Sequence, residues 1–250
     1  MWELYHQLIE QVPTQVKVDH IYVGETWTIV HAGPYCGFAV TVNEQNQPLP
    51  SYRALIGQDL QTTASLCKSW NFLDASVGTA ALNAYHNSPA VALSVPGMAC
   101  TKNAFTDYAA AVEKKKAAII GHFFNLEKFL TKAASVSVLE RKPWLGDYPD
   151  SACEYILPHQ DFVFITGSAF INKTLPRLLQ LSAKAHSIVL GPSTPMSPIL
   201  LSHGADELSG LLPDYLSLDQ VPQAAAGNVK MSSYGQRVRL QAKAGQSNLR

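Results

Sequence analysis

The spacing of hydrophobic residues changes twice within the first hundred positions. Apolar side chains recur at helical spacing from Trp2 to Val12 and stop at Pro13, which predicts a first amphipathic helix. From Val16 to Val42 the pattern alternates and favours β-branched and aromatic residues, with glycines between the runs. Between Asp59 and Tyr85 a helical period returns. This part is predicted to contain three short strands in hairpin order, backed by helices.

A weakly charged segment with prolines and a glycine follows between Asn87 and Asn103 and indicates a connection between layers or domains. We therefore predict a domain boundary near residue 100. A smaller α+β domain would span residues 1–100, and a second domain would span residues 101–250.

The second part of the chain alternates predicted strands with predicted helices. Strands are predicted at residues 117–120, 136–139, 162–165 and 188–190, and helices around residues 105–112, 126–130 and 175–179. Such alternation is typical of a parallel sheet of Rossmann type. The run Lys114–Lys116 is predicted to be the solvated end of the first of these helices, because cations suit a helix C-terminus. The predicted fold class is thus α/β, a Rossmann-like parallel sheet preceded by a smaller α+β domain.

Composition narrows the class of protein further. The 250 residues are 47% hydrophobic and 15% charged, which is enough apolar material for a large core and excludes a disordered chain. Lys plus Arg and Asp plus Glu number 19 each, so no overall field attracts nucleic acid or an anionic membrane. The N-terminus lacks a signal-peptide pattern, and no apolar run approaches a membrane span. We expect a cytoplasmic protein with a basic tail after Val221 and neither nucleic acid nor membrane as partner.

The cysteines do not form a recognisable metal or redox motif. Cys36, Cys67, Cys100 and Cys153 are widely spaced, without a C-x-x-C pair. Reduced and mostly buried thiols are therefore expected. They would become metal ligands only if the fold gathered them, so the sequence leaves the identity of any metal unknown.

Polar residues concentrate where the predicted parallel strands end. In an open parallel sheet, ligands bind beyond the carboxyl ends of the strands. The turns at those positions are Gly121-His122-Phe123-Phe124, Glu140-Arg141, Thr166-Gly167-Ser168 and Gly191-Pro192-Ser193-Thr194-Pro195. Small residues, hydroxyls, one imidazole and one carboxylate are therefore predicted to meet at one edge of the sheet.

The first of these turns limits the class of ligand. Gly121 and Glu140 have about the spacing of ~20 residues that separates a phosphate-loop glycine from a ribose-binding carboxylate. However, His122, Phe123 and Phe124 stand where a pyrophosphate needs small residues. This disfavours a dinucleotide and leaves open a ligand without pyrophosphate, such as S-adenosylmethionine or a flat heterocycle.

Each candidate residue also has a purely structural interpretation. His122 either orders its loop or acts as an acid/base group or ligand group, and Glu140 either pairs with a neighbouring cation or grips a ligand. Asn172 could cap the next helix, and the loop from Gly191 could be a rigid connection rather than a cradle for an anion. The motifs of serine hydrolases, zincins and P-loop proteins do not occur.

The ordered turns carry a family resemblance. Together with Asn172-Lys173-Thr174-Leu175, they resemble the heavy-metal chelation family, whose domains are of unknown function. Upstream, Gly24-Glu25-Thr26-Trp27-Thr28 and Ala80-Ala81-Leu82-Asn83-Ala84 are similar to the companion N-terminal domain of the same proteins. The resemblance covers most of residues 15–215 and does not extend to the basic tail.

The resemblance implies an enolase N-terminal-like domain followed by a Rossmann-like domain, with a site where the two meet. It also implies a role in handling metals or metal-binding small molecules, through condensation or hydrolysis of pterin, flavin or siderophore-like compounds. A non-catalytic module that buffers or delivers metal, and an S-adenosylmethionine-dependent methyltransferase, are the alternatives. A metal ion or S-adenosylmethionine is accordingly a candidate cofactor, and a homodimer is a candidate assembly.

The leading hypothesis is a small-molecule or metal-chelate site between the two domains. His122 and Glu140 are the candidate catalytic residues. The candidate ligand-binding residues are Asn83, which would close the site from the first domain, and Gly121, Thr166, Gly167, Ser168, Asn172, Gly191, Pro192, Ser193 and Thr194.

Overall fold

A computed structural model describes residues 2–44, 48, 51–101, 104–123 and 130–242. The α-helices are α1 (Glu3–Glu10), α2 (Leu60–Ala64), α3 (Phe72–His86), α4 (Pro89–Ala92), α5 (Ala104–Tyr108), α6 (Cys153–Ile156), α7 (Ser168–Ile171), α8 (Leu175–Leu181), α9 (Pro198–Ser202) and α10 (Val221–Ala226). The strands are β1 (His20–Val23), β2 (Trp27–Ala32), β3 (Tyr35–Val40), β4 (Met98–Cys100), β5 (Lys116–Ile120), β6 (Ser135–Glu140), β7 (Tyr148–Pro149), β8 (Phe162–Thr166), β9 (His186–Leu190), β10 (Glu207–Pro213) and β11 (Gly235–Gln241).

The first unit is a three-stranded antiparallel sheet in the order β1-β2-β3, which confirms the predicted hairpin order. Helix α3 packs across β2 and β3. The two backbones approach most closely at Gly37, where an added Cβ would lie 2.1 Å from the backbone nitrogen of Ala84. Only glycine fits there. The enolase-like character of this unit stays a prediction.

The second unit is an eight-stranded sheet in the order β4-β11-β10-β9-β8-β5-β6-β7. Pairings from β10 through β9, β8, β5 and β6 to β7 are parallel, while β11 runs antiparallel to β10 and β4. The predicted α/β fold class and its four parallel strands are therefore confirmed. Strands β4, β7, β10 and β11 were not predicted from the sequence.

The lysine run does not end a helix. Helix α5 stops at Tyr108, Lys114 adopts a positive φ of 58°, and Lys116 opens β5. The backbone explains the difference, because Lys114 N–H donates to the Lys132 carbonyl and Lys115 accepts from Ala134 N–H. The predicted helix around residues 126–130 lies almost wholly outside the described residues.

One hydrophobic core extends through both units. It joins Leu8 and Leu82 of the first unit to Ile165 and Val189 of the large sheet. Tyr5 reinforces this junction, since its ring stacks on Phe170 at 4.4 Å and its hydroxyl donates a 2.8 Å hydrogen bond to the Phe170 carbonyl. The two units are thus packed against one another rather than joined only by a linker.

The cysteines are free thiols, as expected, and three of the four are buried. Burial raises the pKa of Cys36, Cys67 and Cys153 to about 12, so these thiols stay protonated near neutral pH. Cys100 is exposed. Among the described residues, no helix is both long enough and apolar enough to cross a bilayer.

A buried histidine makes folding sensitive to acid. His86 is 2% exposed, its Nε2–H donates to the Leu8 carbonyl at 3.0 Å, and burial lowers its pKa to about 4. In the unfolded chain the ring binds a proton near its ordinary pKa of ~6.5. The neutral, buried ring of His86 therefore stabilises the fold fully above a pH of ~6.5. This stabilisation declines as the pH falls toward the folded-state pKa of about 4.

We expect His86→Gln to make the free energy of unfolding less dependent on pH below ~6.5, because glutamine does not titrate. The fold should be kept, since the amide can still donate to the Leu8 carbonyl. The parent should lose about 3 kcal/mol more than the variant between pH 7 and pH 4. Urea unfolding at several pH values measures this difference. Parallel stability curves for the two proteins would contradict the assignment to His86.

Candidate functional site

The carboxyl ends of four parallel strands form one continuous edge. Register pairs Ile120 with both Leu139 and Ile165, and Thr166 with Leu190. The residues that follow these positions are consequently neighbours. The structure therefore brings together the predicted set of Gly121, Glu140, Thr166 and Gly191.

Glycines let the strand ends pack closely at this edge. Gly121 has a φ of +95°, and an added Cβ would lie 3.0 Å from the methyl carbon of Thr166. At Gly167 a Cβ would lie 2.7 Å from Thr194 Oγ1. Gly191 has a φ of +112°, which L-residues rarely adopt. These glycines turn the chain away from each strand without adding side chains to the edge.

His122 forms a pair with a carboxylate that sequence reasoning missed. Its Nε2 lies 2.5 Å from Oδ2 of Asp147, and its ring stacks on Trp144 at 4.1 Å with an interplanar angle of 26°. The same Asp147 oxygen accepts the Trp144 backbone N–H at 2.7 Å. Burial acts to raise the pKa of Asp147, but the hydrogen bonds from His122 and Trp144 outweigh it and lower that pKa.

Glu140 lies beside a cation that spans the two units. Its Oε1 accepts the backbone N–H of Arg141 at 2.8 Å, and its side chain is half-buried. The Arg141 guanidinium lies 2.8 Å from Glu44 Oε1 and 5.5 Å from the centroid of the Phe72 ring. Arg141 therefore links the end of β6 to two segments of the first unit.

The predicted hydroxyls fall into two groups. Thr166 and Ser168 are half-buried at the edge, and their oxygens are hydrogen-bonded to each other at 3.0 Å. Ser193 and Thr194 are buried instead. Ser193 Oγ accepts the Val40 N–H at 2.9 Å, and Thr194 Oγ1 has no hydrogen-bond partner in the part of the chain that the structure describes. The second pair lies in the junction between the units, while Pro192 before it is half-buried at the edge.

Two predicted asparagines make local or internal contacts. Asn83 is fully buried on α3, and its side-chain N–H donates to the Phe38 carbonyl at 2.8 Å. Its Oδ1 has no hydrogen-bond partner within the described ranges. Asn172 Oδ1 accepts both the N–H and the hydroxyl of Thr174, which forms an Asx turn between α7 and α8, while α8 itself begins without a side-chain cap hydrogen bond.

The first unit contributes a pocket of about 380 Å³ beside this edge. Its lining residues are Val42, Asn43, Glu44, Trp70, Asn71, Phe72 and Leu73. Glu44 and Phe72 are the two residues that Arg141 contacts. The pocket is thus adjacent to the end of β6, although the lining itself comes from segments that the sequence did not single out.

Lys173 supports the aromatic wall of this pocket. It is 5% exposed and has a φ of +67°. Its ammonium donates to the carbonyls of Ser69 and Ile171 and lies 5.8 Å and 5.2 Å from the ring centroids of Trp70 and Phe72. Burial lowers the pKa of this ammonium to about 8, although Cys67 and Asp74 act to raise it. In the sequence, nothing distinguishes Lys173, which lies between Asn172 and Thr174, as a residue that would support a pocket.

Asn87 fixes the loop that follows β9. Its side-chain amide is 1% exposed, donates to the carbonyls of Thr194 and Leu211 at 3.0 Å and 3.2 Å, and accepts the Met196 N–H at 2.8 Å. One side chain therefore satisfies three backbone groups that would otherwise be unpaired. In the sequence, Asn87 only marks the start of the proline-containing connection.

The side chains that the structure describes do not form a metal site by themselves. Within the described ranges, no group of three or more His, Cys, Asp or Glu side chains is placed so that it could hold a metal ion. A tightly held cation usually needs three or four such donors. The side chains at the edge instead suit hydrogen bonding, stacking and proton transfer.

Family models match both parts of the chain. A model described as "Putative heavy-metal chelation" matches residues 103–241, and a second model with the same description matches residues 5–86. The chain belongs to this family, as the resemblance of its turns predicted.

Two solved structures and one curated protein are similar to this chain. A DUF364-family protein of unknown function from Desulfitobacterium hafniense is 36% identical, with a TM-score of 0.89 over 97% of this chain and 99% of that one. A second such protein, from Pyrococcus horikoshii, is 20% identical with a TM-score of 0.79 over 96% and 98% of the two chains, and shows the fold. An uncharacterized Methanocaldococcus jannaschii protein is 26% identical over 175 residues, 66% of this chain and 64% of its own length.

We expect Asn87→Ala to destabilise the protein by roughly 3 kcal/mol, because it leaves buried backbone groups without partners. Asn71→Ala is the matched control on the same helix, since it removes a single cap hydrogen bond, to Leu73 N–H, and should cost about 1 kcal/mol. Denaturant unfolding compares the two variants. Equal losses of stability in the two variants would show that the three hydrogen bonds of Asn87 do not stabilise the protein more than a single cap hydrogen bond does.

Proposed function

We propose that the protein binds a small polar organic molecule that carries a metal ion, in the cleft between the strand ends and the first unit. The observation that carries this proposal is the adjacency of two surfaces. Arg141, which follows the half-buried Glu140, contacts Glu44 and Phe72 in the lining of the pocket of about 380 Å³, and Gly121 and Thr166 lie on the neighbouring strand ends. Clefts at the carboxyl ends of parallel strands are the usual ligand sites of such sheets.

The metal-binding side chains of the described residues favour a metal ion that is already bound to a chelator. The family description points to metal chelation. Among the described residues, however, the side chains do not supply the three donors that a bare cation needs. A chelate removes this difficulty, since most of its coordination sphere is filled before it meets the protein.

The residues of the cleft then have distinct roles. Glu140 would accept hydrogen bonds from hydroxyl or amino groups of the chelator, and Thr166 and Ser168 would supply hydroxyls at the same edge. The exposed ring of Trp70 would stack on a flat part of the ligand. Ser193 would hold the wall of the site rather than touch the ligand, because it is buried in the junction, where its oxygen accepts the Val40 N–H.

A catalytic role would centre on His122. Its partner Asp147 fixes the imidazole, and the side chain remains 29% exposed, so the ring can exchange a proton with a bound molecule. Condensation or hydrolysis of the chelator is the reaction class that such a group serves. Glu140 would orient the reacting molecule in this scheme.

Binding can be tested with two chelates, iron(III) citrate and copper(II) iminodiacetate, by calorimetry and by quenching of tryptophan fluorescence. We expect at least one chelate to bind at one equivalent. Glu140→Gln should weaken that binding by about 10-fold to 100-fold, the scale of about 1.5–3 kcal/mol for a charge-assisted hydrogen bond. Glu10→Gln, at the exposed end of α1, is the control and should bind like the parent.

Three results would contradict the proposal. Tighter binding of the iron or copper salt than of its chelate would indicate a site for the bare ion. Tight binding of S-adenosylmethionine, abolished by Glu140→Gln, would favour the methyltransferase alternative. Equal affinities of the Glu140→Gln variant and the parent for every chelate would remove the strand ends from the site.

A further inference from the structure

We propose that His122, oriented by Asp147, supplies one ring nitrogen as a ligand to the metal ion of the chelate. The protein would thus fill a coordination position that the chelator leaves open. This inference rests on the proposed function, because it states how the cleft would recognise the metal-bearing part of its ligand.

The hydrogen bond decides which nitrogen is available. A carboxylate only accepts hydrogen bonds, so the hydrogen between Asp147 Oδ2 and His122 belongs to Nε2 of the ring. In the neutral imidazole, Nδ1 then carries the lone pair. Nδ1 has no hydrogen-bond partner among the described residues, and the side chain is 29% exposed. The lone pair of Nδ1 is therefore not used in a hydrogen bond to any described residue.

The carboxylate is itself fixed. The Asp147 side chain is 7% exposed, and the oxygen that holds His122 also accepts the Trp144 backbone N–H at 2.7 Å. Trp144 lies in the same loop and stacks on the imidazole at 4.1 Å. The ring is thus held at its edge by Asp147 and on one face by Trp144, which restricts its rotation.

This arrangement is the one that metal-binding histidines commonly show. The second nitrogen of such a ring usually donates to a carboxylate, which sets the tautomer and raises the basicity of the coordinating nitrogen. A single histidine would hold a bare ion weakly. It suffices for a chelated ion, since the chelator supplies the other donors, and imidazole favours copper, nickel, zinc and iron.

The inference assigns Asp147 a positioning role and makes His122 a metal ligand in place of the acid/base group described above, because Nδ1 cannot hold a metal ion and a proton at once. A solely structural pair would order the loop without changing what a bound metal coordinates. The coordination sphere of the metal is consequently the readout that separates the two interpretations.

Electron paramagnetic resonance of copper(II) iminodiacetate bound to the protein tests this directly. We expect the parent to add nitrogen coupling from one imidazole. His122→Asn should abolish that coupling, and Asp147→Asn should weaken binding by about 10-fold to 100-fold, as loss of a carboxylate partner does in metal sites. His159→Asn, which replaces an exposed imidazole, is the matched control and should leave both signals unchanged.

A saturated chelate provides the second comparison. Copper(II) ethylenediaminetetraacetate has no open position, so it should show no imidazole coupling and should bind the parent and His122→Asn alike. If Asp147→Asn fails to fold in thermal melts, Asp147→Glu replaces it and should shift the coupling, because the carboxylate moves by one methylene.

The outcomes distinguish this inference from the proposed function. If the iminodiacetate complex binds with the sensitivity to Glu140→Gln described above but without imidazole coupling, the cleft is the site and the role of His122 is wrong. Coupling that persists in His122→Asn and disappears in His159→Asn would also overturn it. Failure of all chelates to bind would instead overturn the proposed function, and this inference with it.

Discussion

The side-chain amide of Asn87 satisfies three buried backbone groups at the point where α3 meets the loop after β9. Each of those groups would cost free energy if left unpaired away from water. Ser193 joins the same loop to β3, and Lys173 joins α7 and α8 to the turn before α3. Together these polar contacts hold the first unit against the large sheet, which carries Glu140 and Arg141 at one of its strand ends.

Charges at the cleft are restrained before any ligand is present. Glu140 accepts a backbone N–H, Asp147 accepts two donors, and Arg141 lies against Glu44 and Phe72. Groups held in this way lose little conformational entropy on binding, which favours recognition of a small ligand. Gly121 and Gly191, which have positive φ angles, add no side chains to the edge formed by the strand ends.

In the proposed function, membership of the chelation family and the chemistry of the described residues agree because the metal is part of a larger ligand. The described residues lack a cluster of donors for a bare ion, yet one imidazole is arranged as a metal-binding histidine is. The similar proteins of known structure are themselves of unknown function. In this proposal, the ligand supplies most of the donors to the metal and the protein supplies one imidazole.

The sequence by itself determined the central part of the fold and the edge at which its candidate residues meet. Local periodicity predicts β5, β6, β8 and β9, and parallel strands place the residues after them side by side. Strands β10 and β11 were not predicted, because their pairing depends on contacts with distant segments. Only the tertiary structure buried Ser193 and Thr194, paired His122 with Asp147, and placed Asn87 and Lys173 at the junction. The physical reason is that periodicity reports which face of an element is buried, whereas hydrogen-bond partners are decided when residues far apart in the chain pack together.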